Sequence, residues 1–208
     1  ITPEIFQQAA RFISIKEYIV ARLFGVYRID YSIASGSGLW NMYTRTWDNE
    51  LLSEIGLNPQ RLSVCIEPTA ILPNGLRREY ADLLGLMEGT PGIIGSFDGG
   101  QSHLGSVGIS NDLMSLTVGT GAALRKRISN PQVITGSEAW CYYLADDNWL
   151  QGGVIHDAGN AIRWFADNLM ESSMTVDQTF VEMNRLASET PAGADGLYFL
   201  PLFGGDRC

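Results

Sequence analysis

The chain has 208 residues, 45% of them hydrophobic, which suffices for one large or two small domains with a real core and excludes a disordered segment. A formal charge of −9 excludes the clustered basic footprint of a nucleic-acid surface; the nearest approach, Arg125-Lys126-Arg127, reads as a solvated strand end. Three widely spaced cysteines build neither a disulfide framework nor a zinc site, pointing to a reducing cytoplasm, and no apolar run approaches the roughly 20 residues that cross a bilayer.

Between residues 6 and 24 the apolar positions recur near the helical period, so one long helix is expected there, stopped by Gly25. Residues 30–41, rich in Ser and Gly, read as a loop. Trp47-Asp48-Asn49-Glu50-Leu51-Leu52 predicts a short helix capped by Asp48 or Asn49, and residues 76–86 predict another before Gly89. Pro91 then precedes an apolar run, Gly92-Ile93-Ile94-Gly95-Ser96-Phe97, expected as a strand ending at Asp98, with a Gly/Ser-rich helix over 101–107. Residues 113–116 and 122–127 alternate as two strands joined at Gly119-Thr120-Gly121. Residues 140–144 and 149–150 predict further strands on either side of Asp146-Asp147-Asn148. Helices over 159–170 and 176–186 complete the pattern.

Asp98 is the most informative residue. A carboxylate where a strand gives way to glycines stands where open α/β sheets gather their ligands, although Asp-Gly is also a common turn pair. Gly119-Thr120-Gly121 offers backbone N–H groups, a hydroxyl and no charge, with a plain hairpin as the alternative reading. One turn offers a base and the other can hold an anion, the pairing needed for phosphoryl transfer to an alcohol. The start of the 159–170 helix presents free N–H groups where a phosphate can sit, with Asp157 as a competing cap. His103 and His156, near the two turns, suit hydrogen-bonding support rather than metal ligation. Trp140, Trp149 and Trp164 read as core rather than as sugar-stacking platforms.

In chain order the signposts are Ile15-Lys16-Glu17-Tyr18, Asp30-Tyr31-Ser32-Ile33-Ala34-Ser35, the Asp98 turn, Gly119-Thr120-Gly121, Gly152-Gly153 with Gly159-Asn160-Ala161-Ile162-Arg163-Trp164, and Gly196-Leu197-Tyr198-Phe199-Leu200-Pro201 with Gly205-Asp206-Arg207. Together they resemble the FGGY carbohydrate kinases, and residues 30–35 and 116–125 look most like the gluconate kinases among them. The resemblance implies an α/β, actin-like ATPase (ribonuclease H-like) fold of two domains, incomplete in this chain. Residues 1–106 would be the C-terminal part of the first kinase domain and 107–208 the N-terminal part of the second.

The resemblance further implies a cytoplasmic kinase that uses ATP and Mg²⁺ to phosphorylate a sugar or sugar acid, gluconate before xylulose, glycerol or another polyol. Asp98 would be the general base, touching the acceptor and holding Mg²⁺ through water. Gly119, Thr120, Gly121 and Gly159 would lie beside the nucleotide, with Arg163 a further nucleotide contact. Gln101, one turn beyond the base, could reach the sugar. The expected partner is a small-molecule sugar or sugar acid, with a homodimer as the assembly considered and neither nucleic acid nor membrane. A non-catalytic nucleotide- or sugar-binding regulator on the same scaffold is the reading from a different class. The family's Asp-Gly-Thr phosphate hairpin and Gly-Gly-Gly adenosine turn are absent, so the chain reads as an internal piece of a longer kinase, inactive alone.

Overall fold

The computed structural model describes residues 2–170 and 173–203. The chain falls into two compact units, residues 1–113 with 126–151 and residues 114–125 with 152–208.

The first unit opens with two helices, α1 (Pro3–Gln8) and α2 (Ile15–Phe24), instead of the one long helix that the apolar periodicity predicts. The break has a local cause. Ser14 starts α2 afresh with a complete capping box, its hydroxyl accepting from the Glu17 amide while the Glu17 carboxylate accepts from the Ser14 amide. Gly25 ends the helix at φ 70°, as a C-terminal glycine should.

Residues 30–41 are a packed element, not the expected loop. The strand β1 (Arg28–Asp30) runs directly into α3 (Tyr31–Ser35), which Asp30 caps by accepting from the Ile33 amide. The strand β2 (Trp40–Asn41) then pairs antiparallel with β3 (Thr46–Trp47), Trp40 opposite Trp47. Composition misleads here because Ser32 and Ala34 are buried rather than solvated. The helix α4 (Asn49–Glu54) is capped by Asp48, and β4 (Val64–Ile66) lies parallel to β1 with Cys65 opposite Ile29. The helix α5 (Arg78–Leu84) ends at Gly85, earlier than the expected stop at Gly89.

Residues 92–97 likewise form no strand. Ile93 makes an isolated bridge to Ile71, flanked by backbone bonds of Gly92, Ile94 and Gly95 to Leu72, Ala70 and Pro68, and the segment then leads into α6 (Asp98–Val107), which begins at Asp98 rather than at Gln101. Four strands follow: β5 (Met114–Val118), β6 (Ala122–Ile128), β7 (Trp140–Ala145) and β8 (Asn148–Ile155). In the first unit β8 starts between β7 and the end of β6. The β7–β8 connection turns at Asp146 and Asp147, both at positive φ, a conformation that short polar side chains tolerate. The principal core of this unit joins Ile29, Ala34, Trp40, Cys141, Tyr143 and Trp149; a second cluster joins Val20, Leu72 and Ile94, and a third Leu52, Leu57 and Leu62.

In the second unit the start of β6 lies between β5 and the end of β8. The helices α7 (Gly159–Leu169) and α8 (Val176–Glu189) follow, α8 opened by a second capping box between Thr175 and Gln178. Trp149 is core as expected, whereas Trp164 is exposed on α7 and meets Phe203. Trp140 is half-buried and stacked on Tyr142. Gly205-Asp206-Arg207 and Cys208 lie outside the described residues.

Candidate active site

Asp98 is the first residue of α6 and is exposed, its Oδ1 accepting from the Gly99 amide at 2.6 Å. What lies behind it sets its position. Gly99 and Gly100 are buried, and a Cβ on Gly100 would come within 2.8 Å of the Phe97 ring and 2.9 Å of Leu144. At Gly100 the helix start therefore needs a small residue for packing rather than a glycine for turning. Gln101, also exposed, stands three residues on, and its amide donates to Ser96 Oγ at 3.0 Å. Asp98 and Gln101 thus share a helix face, as the sequence suggests.

The residues before Asp98 are held by side chains from α2 and from the β1–α3 corner. Lys16 Nζ donates to the carbonyls of Gly95 at 2.9 Å and Ser96 at 3.3 Å, and the Phe97 amide donates to Ser32 Oγ at 2.9 Å. Lys16 also pairs with Asp30 at 2.6 Å, a carboxylate with no solvent exposure. The second oxygen of Asp30 accepts from the Ser32 hydroxyl and from the Ile33 amide. The buried charge is thereby both paired and hydrogen-bonded, the condition for its burial being tolerable. Phe97 further lines a cleft of about 500 Å³ with Phe12, Glu17, Ser32, Trp47 and Tyr142. The Lys16 and Asp30 roles went unread in the sequence, although an Asp three residues before a backbone amide it can accept from is a known helix-capping pattern.

In the second unit Gly119, Thr120 and Gly121 join β5 to β6, and the Gly119 amide closes the turn on the Gly121 carbonyl at 2.8 Å. The turn is locked to the start of α7. The amides of Ala158 and Asn160 donate to the Thr120 carbonyl at 2.9 and 3.2 Å, and the Gly159 amide donates to the Gly119 carbonyl at 2.9 Å. Three of the N–H groups expected to be free at this helix start, those of Ala158, Gly159 and Asn160, are therefore occupied by turn carbonyls, and Asp157 accepts from the Asn160 side chain at 3.2 Å.

Close approach explains two of the glycines. A Cβ on Gly121 would lie 2.5 Å from the Ile155 carbonyl oxygen, and one on Gly159 would stand against the Gly119 carbonyl, far inside van der Waals contact. Gly119 differs, being exposed, with its nearest prospective neighbour 4.0 Å from an added Cβ. The structure thus gathers Gly119, Thr120, Gly121 and Gly159 into one assembly whose outer side, at Gly119 and the exposed Thr120, is open to a ligand.

Arg163 is exposed on α7, 3.8 Å from Asp167, and walls a cavity of about 220 Å³ with Ala166, Met170, Met174 and Phe180. His103 is fully buried in α6. Cys65 has its thiol pushed up to about 12 by burial and by the nearby Glu17 and Asp30, which makes it inert rather than nucleophilic. Tyr143 is likewise raised, first by burial and then by the bond it donates to Glu67 at 2.6 Å. Among the described residues no three His, Cys, Asp or Glu side chains stand together as a ready-made metal cage.

The mixed α/β scaffold with these two glycine-bearing corners has the fold of the actin-like ATPases, incomplete here. The chain belongs to the FGGY family of carbohydrate kinases, whose N-terminal domain matches residues 2–105. It is 36% identical to the gluconokinase of Bacillus licheniformis over 99% of this chain and 41% of that protein. The gluconate kinase of Lactobacillus acidophilus superposes with a TM-score of 0.88 at 34% identity, over 99% of this chain and 41% of that one. A ligand-bound xylulose kinase of the same organism superposes with the same TM-score at 33% identity and the same coverage. The chain thus spans about two-fifths of the length of the relatives it matches.

Proposed function

We propose that the protein to which this chain belongs transfers the terminal phosphate of ATP to a hydroxyl of a sugar acid, gluconate being the favoured acceptor. The observation that carries this reading is the likeness to a gluconokinase along nearly the whole chain. On this reading residues 1–106 complete the first kinase domain and 107–208 begin the second. Because the chain spans about two-fifths of its relatives, residues 1–208 alone are expected to be inactive.

Asp98 acts as general base. One of its oxygens is engaged by the Gly99 amide, which leaves the other for the acceptor proton. As that O–H bond breaks, the acceptor oxygen forms a bond to the terminal phosphorus, the bond to the bridging oxygen breaks, and ADP leaves. The alcohol loses its proton late in a loose transition state, so the demand on Asp98 is chiefly one of position. Gln101, on the same helix face, orients the acceptor. Asp98 would also hold the Mg²⁺ of the Mg·ATP substrate through water. The open side of Gly119 and the Thr120 hydroxyl receive phosphate oxygens, with Gly121 and Gly159 supporting the turn and Arg163 a further nucleotide contact.

The proposed compartment is the cytoplasm and the proposed assembly a homodimer; Cys65 and Cys141 are free thiols, and no described helix is long and apolar enough to cross a membrane. A second reading, xylulose as acceptor, is favoured by the near-equal likeness to the xylulose kinase. ADP release by the full-length enzyme, measured with gluconate, xylulose and glycerol, tests both. A larger kcat/KM for xylulose or glycerol overturns the gluconate assignment, and ATP use with none of them turns the reading toward a regulator.

A further inference from the structure

We infer that Lys16, Asp30 and Ser32 are positioning residues that fix the placement of Asp98; the inference rests on the reading of Asp98 as the base. The three consecutive residues before Asp98 each give a backbone group to this set. The carbonyls of Gly95 and Ser96 accept from Lys16, and the amide of Phe97 donates to Ser32. Lys16 places its remaining donor on Asp30, so all three of its N–H bonds are used. Ser32 is 2% exposed and bridges the two ends, donating to Asp30 while accepting from Phe97.

Backbone bonds to residues 68–72 anchor the Gly92 carbonyl and the Ile94 and Gly95 amides, and side chains then take over, holding the Gly95 and Ser96 carbonyls and the Phe97 amide. Such a set is an expensive way to gain stability, because apolar replacements of buried ion pairs are often as stable or more so. Its particular product is geometry. Two carbonyls and one amide are held in a row, and the next residue is the carboxylate. Misplacement of a reacting group by about 1 Å can cost about 10²-fold in rate.

A double-mutant cycle in the full-length enzyme tests the inference, with Ser32→Ala, Asp98→Asn and the pair. Ser32→Ala is expected to lower kcat about tenfold to 10²-fold while the KM for ATP changes by less than about twofold. Ser32→Thr, which keeps the hydroxyl, is expected to recover most of the loss. In the Asp98→Asn background Ser32→Ala is expected to change kcat by less than about twofold, because there is no base left to misplace. An equal loss in both backgrounds, or wild-type kcat in Ser32→Ala, overturns the inference while leaving the base intact. Wild-type kcat in Asp98→Asn removes the base, and this inference with it, so the single mutants tell the two failures apart. Should Ser32→Ala fail to fold, Lys16→Met takes its place in the cycle, since Lys16 is partly exposed and its loss frees the Gly95 and Ser96 carbonyls; it is read in the same way.

Discussion

Gly159 donates its amide to the carbonyl oxygen of Gly119 at 2.9 Å, and that same oxygen occupies the space a side chain on Gly159 would need. The glycine at the head of α7 is therefore a packing requirement of the turn before it is anything else.

Gly159→Ala should accordingly destabilise the second unit by about 1–3 kcal/mol, the usual range for an overpacked contact with backbone. Gly153→Ala is the control, because an added Cβ there meets nothing within 4 Å. Urea unfolding should separate the two, and equal midpoints would show that the turn and α7 are not locked together.

Gly119→Ala should behave in the opposite way. With open space around the added carbon, stability should change by no more than about 0.5 kcal/mol. If phosphate oxygens approach over this residue, the KM for ATP should nevertheless rise about tenfold, the equivalent of one lost hydrogen bond. An unchanged KM would move the phosphates away from Gly119.

Asp98→Asn keeps the shape and hydrogen-bonding reach but removes the proton acceptor. In the full-length enzyme kcat should fall by about 10²–10⁴, with the fold and ATP affinity retained. Thr120→Ala leaves the base in place, and its damage should appear at least partly in the KM for ATP. Near wild-type kcat in Asp98→Asn would return Asp98 to the role of a helix-start residue.

Cys65 gives a pH signature. Its native thiol titrates at about 12 against an ordinary value of 9.0, so the native state holds the proton more tightly than the unfolded chain. The resulting stability is complete below pH 9 and is lost as pH rises from 9 toward 12. Chemical denaturation across that window should show the decline, and Cys65→Ala should flatten part of it. At pH 8 the thiol should react with a disulfide reagent far more slowly than a free cysteine.

Much of the second unit was legible in the sequence because its signals are local. The strands on either side of Gly119-Thr120-Gly121 and the helices α7 and α8 announce themselves by alternation and helical period. In the first unit short-range and long-range signals compete. Apolar periodicity across residues 6–24 hid the capping box at Ser14, which restarts the helix. The apolar run before Asp98 looks like a strand, yet nothing local to it says that its backbone bonds to residues 68–72 stop at Gly95 and that side chains of Lys16 and Ser32 hold the rest. The same holds at the head of α7, whose donors meet carbonyls from a turn far earlier in the chain. The setting of Asp98 as the first residue of a helix was not legible, because the glycines after it read as a turn.

The amide of Phe97, bonded to a hydroxyl that is almost wholly buried, should be among the slowest in the first unit to exchange its hydrogen with solvent. Exchange there requires Ser32 to separate from the connection into α6. If its protection matches that of the core amides, the carboxylate next to it has no inexpensive local opening, and whatever motion accompanies turnover belongs to other parts of the protein.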